Sequence, residues 1–190
     1  SKLDELVTRE IPLLPVQQAF LQPGGETRGE YLVVLTLRTP TGARPDRIRS
    51  VLEWLVARHD AFRLRFRLVD GKWTQEYGSN EVALPFEILN IEGLGYEQAA
   101  AVDQELLTGF DLENGPLVKS FFCNRGTDER GILYLAVHHL VVDALSIVTL
   151  VSEFNQCWGS LGRDQGFPAL KLPEPRFGSW ARQLHTKAQS

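Results

Sequence analysis

Four histidines occur in this chain, and two of them, His138 and His139, are adjacent. They close an apolar run, Leu133-Tyr134-Leu135-Ala136-Val137, and lead through Leu140-Val141-Val142 to Asp143. An imidazole titrates near neutral pH, so a histidine presented at the end of a buried strand can act as a general base. Asp143, at a predicted helix start, can hold the loop between by capping the helix or by pairing with an arginine. Arg63 and Arg65 are the candidate partners, with a solvated strand face as the structural alternative for both. Ser146 follows Asp143 closely enough to cap or to bond to backbone. Paired histidines also serve purely structural roles. A metal site fits less well: neighbouring strand residues point to opposite faces, and no Cys, Asp or Glu recurs nearby at zinc-like spacing. No Gly-x-Ser-x-Gly nucleophile turn is present.

The elements that must position these residues are legible in the apolar spacing. Pro15 suits the first turn of a short helix ending near Leu21, and Pro23-Gly24-Gly25 marks a loop. Tyr31 to Leu37 reads as a buried strand, with Thr39-Pro40-Thr41-Gly42 as a turn. Asp46 is the expected N-cap of an amphipathic helix to about His59, carrying Ile48, Val51, Leu52, Leu55 and Val56 on one face. Phe62 to Val69 and Lys72 to Tyr77 form a hairpin about Asp70-Gly71. Further strands are expected at Phe86–Leu89, Leu117–Cys123 and Ile132–Val137, with a helix at Tyr96–Leu107. Asp143 starts a helix whose apolar positions include Leu145, Val148, Leu150, Val151 and Phe154. Gly159 to Pro175 reads as a surface connection, and Phe177 to Lys187 as a last short helix. The order of elements predicts an α/β (α+β) chain, one open mixed sheet flanked by helices.

Composition sets the outer bounds. A chain of 190 residues, 43% hydrophobic and 23% charged, is long enough for one well-cored domain and too apolar for global disorder. A net charge of −4 argues against a generally basic nucleic-acid binder. No apolar run approaches membrane-spanning length. Cys123 and Cys157 lack metal-ligand spacing and read as free thiols in a reducing compartment. The chain begins at Ser1 and contains no methionine, so it is expected to be part of a longer, cytoplasmic polypeptide.

The segment His138-His139-Leu140-Val141-Val142-Asp143-Ala144 resembles the His-His-x-x-x-Asp-Gly signature of nonribosomal peptide synthetase condensation domains, with Ala144 in the glycine position. Other segments, in the same order, are similar to that family. Leu14-Pro15-Val16-Gln17-Gln18-Ala19 resembles its opening motif. Arg58-His59-Asp60-Ala61-Phe62-Arg63-Leu64-Arg65-Phe66 resembles its Arg-His-Glu-x-Leu-Arg-Thr-x-Phe motif, departing at Asp60, Phe62 and Leu64. Gly109-Phe110-Asp111-Leu112-Glu113-Asn114-Gly115-Pro116-Leu117 resembles its Phe-Asp-Leu segment, and Phe177-Gly178-Ser179-Trp180-Ala181 its tryptophan-bearing helix.

The resemblance implies a chloramphenicol acetyltransferase-like lobe, about half of a two-lobed domain. Residues 1–175 would be the N-terminal lobe, and 176–190 the crossover toward a second lobe. It implies amide-bond formation between thioesters tethered to carrier proteins. His139 would be the base, His138 its support beneath the loop, and Asp143 structural, with Ala144 and Ser146 along the substrate tunnel. Phosphopantetheine would arrive on the carrier proteins rather than bind as a resident cofactor. The partners implied are carrier domains and a second lobe, with neither nucleic acid nor membrane. The same motif spelling also resembles the epimerization branch. A non-catalytic docking module is the alternative from a different class. If Ala144 required a positive φ, its methyl would weaken the site.

Overall fold

The computed structural model describes residues 10–22, 31–78, 84–93, 107–161 and 176–189. The elements are β1 (Glu10–Ile11), α1 (Pro15–Leu21), β2 (Leu32–Thr41), α2 (Pro45–Arg58), a 3-10 turn (Asp60–Arg63), β3 (Leu64–Val69) and β4 (Lys72–Tyr77). They continue with β5 (Phe86–Asn90), β6 (Val118–Asn124), β7 (Arg130–His138), α3 (Ala144–Leu161) and α4 (Phe177–Ala188). All of the expected helix at Tyr96–Leu107 except Leu107, and most of the expected connection from Gly159 to Pro175, lie outside the described residues.

The strands form two sheets rather than one. Strands β2-β7-β6-β5 make a four-stranded sheet and β1-β4-β3 a three-stranded one. The predicted hairpin closes as expected, with Asp70 (φ 50°) and Gly71 (φ 77°) both left-handed, the signature of a type I′ turn. The far edge of β4 then pairs with β1, Ile11 opposite Gln75, so the hairpin never joins the larger sheet. Turn chemistry settles a hairpin locally, whereas the partner for its other edge comes from distant chain. The larger sheet is mixed, as predicted: β5 runs parallel to β6, and β7 is antiparallel to both β2 and β6.

Strand β7 is central and almost wholly buried, which is why it reads as a continuous apolar run. Close packing reaches its first residues. A Cβ at Gly131 would fall 2.5 Å from the Phe122 ring and 2.9 Å from the Cys123 carbonyl, so a larger residue would displace backbone. Helix α2 buries the five apolar residues expected of it. Asp46 is not its N-cap. Pro45 occupies the first helical position, where its missing N–H costs nothing, so the cap falls on Arg44 and Asp46 instead pairs with the Arg44 guanidinium.

Other boundaries shift for physical reasons. Thr39-Pro40-Thr41 remains within β2, with a register shift between Arg38 and Thr41. Phe62 anchors the 3-10 turn in the core before β3 begins. On α3, Leu150, Phe154 and Cys157 are buried, whereas Leu145 (74% exposed) and Val148 (66%) face outward. Leu145 and Phe154 are nine positions apart, about half a turn at roughly 100° per residue, so the predicted apolar set spans two faces. No helix among the described residues is long and apolar enough to cross a membrane.

Candidate active site

The ladder between β2 and β7 runs from Ile132 to its last pair, Leu32 opposite His138, and one further bond extends it: the His139 N–H donates to the Tyr31 carbonyl at 2.8 Å. The two histidines then part. His138 is fully buried, its own N–H donating to Leu117 at 2.9 Å. Its Nδ1 accepts the Leu140 N–H at 3.2 Å, and the rings of Phe20 and Phe110 pack around it. That acceptor role fixes the neutral tautomer as the one protonated at Nε2. His139 is half-buried and lines a cleft of about 450 Å³.

The loop after the histidines is tethered. Gln17, buried on α1, donates from Nε2 to the Leu140 carbonyl at 2.9 Å and accepts the Leu14 N–H on Oε1 at 2.8 Å. One side chain thus satisfies a helix N-terminus and a loop carbonyl that would otherwise be buried unpaired. The Phe-Asp-Leu segment does similar work from below. The Asp111 carboxylate accepts from the Glu113 and Asn114 N–H groups and from the Asn114 amide, which holds it below the usual carboxylate range. Within that turned segment, Leu112 accepts the Phe66 N–H at 2.8 Å and Leu117 supports His138.

Asp143 caps α3. Its Oδ1 accepts both the N–H and the hydroxyl of Ser146, each at 2.7 Å, and these bonds lower its pKa. The expected arginine partnership is not formed. Arg63 lies with its guanidinium 5.1 Å from the Tyr77 ring centre. Arg65 donates to the Leu64 carbonyl at 2.7 Å and packs so tightly on Gly115 that a Cβ there would fall 2.6 Å from Nη2. Its burial lowers its pKa, partly offset by Asp111. The serine hydroxyl and helix amide already satisfy the Asp143 oxygen, so no distant cation is recruited.

Ser146 and Asp143 line the cleft with His139. Ala144 does not. It is the first helical residue and exposed, and its φ is not positive, so its methyl imposes no backbone strain. The cleft lining also includes residues of α2, α3 and α4. Glu153 on α3 accepts from Arg58 Nε at 2.7 Å and meets His59 Nε2 at 2.6 Å. The three side chains are only 12–20% exposed, so their attraction is weakly screened. The Arg58-His59 pair is visible as part of a motif, but nothing local marks Glu153 as its partner. Phe177 and Trp180 of α4 complete the lining. Asp60 fixes that helix by accepting the Tyr77 hydroxyl at 2.6 Å and the Phe177 N–H at 3.3 Å, while Tyr77 accepts the Gly178 N–H at 2.8 Å.

Among the described residues, no group of three His, Cys, Asp or Glu side chains could hold a metal. The arrangement offers instead the His139 imidazole, just beyond the end of β7, on a cleft that also holds the Arg58-His59-Glu153 cluster.

The sequence profile of the condensation domain matches residues 7–190. One component of the linear gramicidin synthase of Brevibacillus parabrevis is 29% identical over 190 residues, covering 97% of this chain and 4% of that protein. Surfactin synthase subunit 2 of Bacillus subtilis is 29% identical over 191 residues, covering 97% of this chain and 5% of that protein. The epimerization domain from the third module of tyrocidine synthetase B superposes with a TM-score of 0.83 at 26% identity, covering 95% of this chain and 40% of that one. The condensation domain of the monacolin K polyketide synthase shares the fold, with a TM-score of 0.77 at 18% identity over 95% of this chain and 39% of that one. The chain therefore spans a small fraction of these synthetases and about two fifths of these solved chains.

Proposed function

The chain belongs to the condensation-domain family, and from that premise we propose that it is the histidine-bearing N-terminal lobe of a domain that joins carrier-tethered aminoacyl or acyl thioesters through an amide bond. The observation that carries this reading is the placement of His139, half-buried at the end of β7 and open to the cleft, while His138 beside it is sealed in the core. In the proposed step, the acceptor amine attacks the donor thioester carbonyl. The N–C bond forms, the C–S bond breaks, His139 takes the amine proton, and the phosphopantetheine thiolate leaves and is reprotonated. A positioned base contributes about 10²–10⁴-fold to such a step, and holding both tethered reactants in one cleft adds to it.

In this reading residues 1–175 form one lobe, and α4 belongs to the crossover segment 176–190 toward a second lobe. The carrier proteins bring phosphopantetheine as part of the substrates, and a cytoplasmic setting goes with that chemistry. Asp143 and Ser146 shape the loop rather than react. The test is His139→Ala in the full-length protein, with carrier loading measured separately. Loss of amide product with loading intact supports the reading. Unchanged product overturns it and favours a docking module.

The likeness to the tyrocidine epimerization domain favours a second reading. There, His139 would exchange the Cα proton of one tethered aminoacyl group, working with an acid from the second lobe. Deuterium from solvent at Cα, without any acceptor carrier present, would select this reading. Its absence, with amide product formed, selects condensation.

A further inference from the structure

We infer that Tyr31 is a positioning residue for His139, setting the plane in which the imidazole meets substrate. The inference rests on the proposed role of His139 as base and adds a residue to it.

Three rings form one stack. Phe20 lies on Tyr31 with centroids 4.7 Å apart at 25°, and Tyr31 lies on His139 at 4.5 Å and 20°. Phe20 also meets His138 edge-on at 5.9 Å, so the outer end of the stack is braced by the buried histidine. The backbone supplies a second constraint at the same residue, because the Tyr31 carbonyl accepts the His139 N–H at 2.8 Å. Main chain and ring of Tyr31 therefore both engage His139.

The physical consequence concerns rotation about the histidine's second side-chain torsion. That torsion is broad and roughly two-fold for an unsupported imidazole. A stacked aromatic neighbour favours orientations in which the imidazole stays parallel to it. One face of the imidazole is covered by Tyr31, and the residue still lines the cleft. The stack thus reduces the number of orientations that a base must lose before proton transfer. It acts through His139 and requires no contact with substrate.

The experiment uses the full-length protein, with the acceptor carrier supplied as a separate loaded protein. Single-turnover product formation is followed as acceptor concentration rises. Tyr31→Leu is expected to lower the maximal rate about 10- to 100-fold, the scale of a misoriented catalytic group. The half-saturating acceptor concentration and the thermal midpoint should change little. Tyr31→Phe, which keeps the ring, should restore the rate to within about two-fold. An unchanged maximal rate in a folded Tyr31→Leu protein would overturn the inference, as would a loss confined to half-saturation. If Tyr31→Leu does not fold, Phe20→Leu decides: a lower maximal rate supports the stack, and an unchanged one overturns it. His139→Ala is run alongside. If it retains product, the parent reading has failed; if it abolishes product while the Tyr31 variants are normal, only the stack has failed.

Discussion

The side-chain amide of Gln17 donates to the backbone carbonyl of Leu140 across 123 residues of sequence. This bond ties the first helix to the loop that carries the paired histidines. Gln17→Leu would fill similar space but leave that carbonyl and the Leu14 N–H without their partner. The expected cost is about 1–3 kcal/mol, seen as a lower urea midpoint with unchanged slope. Activity should fall as well, because the loop sets the His139 backbone. An unchanged midpoint would show that water replaces the glutamine without loss.

Asp143 should behave as a helix cap rather than as a reactive acid. Asp143→Ala is expected to cost about 1 kcal/mol, and Ser146→Ala less, because the Ser146 N–H still donates. The Asp143 pKa is lowered in the fold by its bonds to Ser146. Its contribution is therefore present above the ordinary carboxylate pKa and lost as pH falls through the depressed folded value. Denaturant midpoints of wild type and Asp143→Ala should converge on acidification. A constant difference down to strongly acid pH would rule the cap out.

Ala144→Gly should leave product formation within about two-fold, because the alanine is already helical and lies outside the cleft lining. A small loss of stability, under about 1 kcal/mol, is expected from the added backbone freedom. A large gain in activity would mean that the methyl obstructs the tethered substrate.

Glu153→Ala would leave the Arg58 guanidinium, 20% exposed, without its counter-ion. Exposed pairs contribute about 0–1 kcal/mol and fully buried ones cost about 3–5 when broken. A value of about 2 kcal/mol is expected here. Denaturant unfolding of Glu153→Ala measures it, and in a double-mutant cycle with Arg58→Met a coupling below about 0.5 kcal/mol would place the pair among ordinary surface contacts.

Tyr77 links the last helix to the turn after His59. Burial and its bond to Asp60 push its pKa from 10.0 to about 12. Because the folded value is raised, the stabilisation is complete below about pH 10 and is lost as pH rises toward 12. Tyr77→Phe should be less stable than wild type at pH 8 and should lose less between pH 10 and 12. Parallel alkaline unfolding of the two proteins would refute the linkage.

The histidine motif, the hairpin turn, the buried stripe of α2 and the start of α3 at Asp143 were all readable from residue order. Each is governed by interactions within a few residues: apolar periodicity, turn geometry, a cap. The family resemblance rested on five short segments, the histidine motif among them. Where reading stopped, the deciding contact was distant. Glu153 meets Arg58 across 95 residues, and β1 reaches β4 from the far side of α1 and β2. The outward turn of Leu145 and Val148 depended on which face of α3 met the core. The division of labour between His138 and His139 is of the same kind. Their sequence neighbourhoods are nearly identical, but β7 ends between Phe20 and Phe110 on one side and beside Tyr31 and the cleft on the other. Adjacent side chains diverge where a strand ends, and only packing assigns one to the core and the other to the cleft.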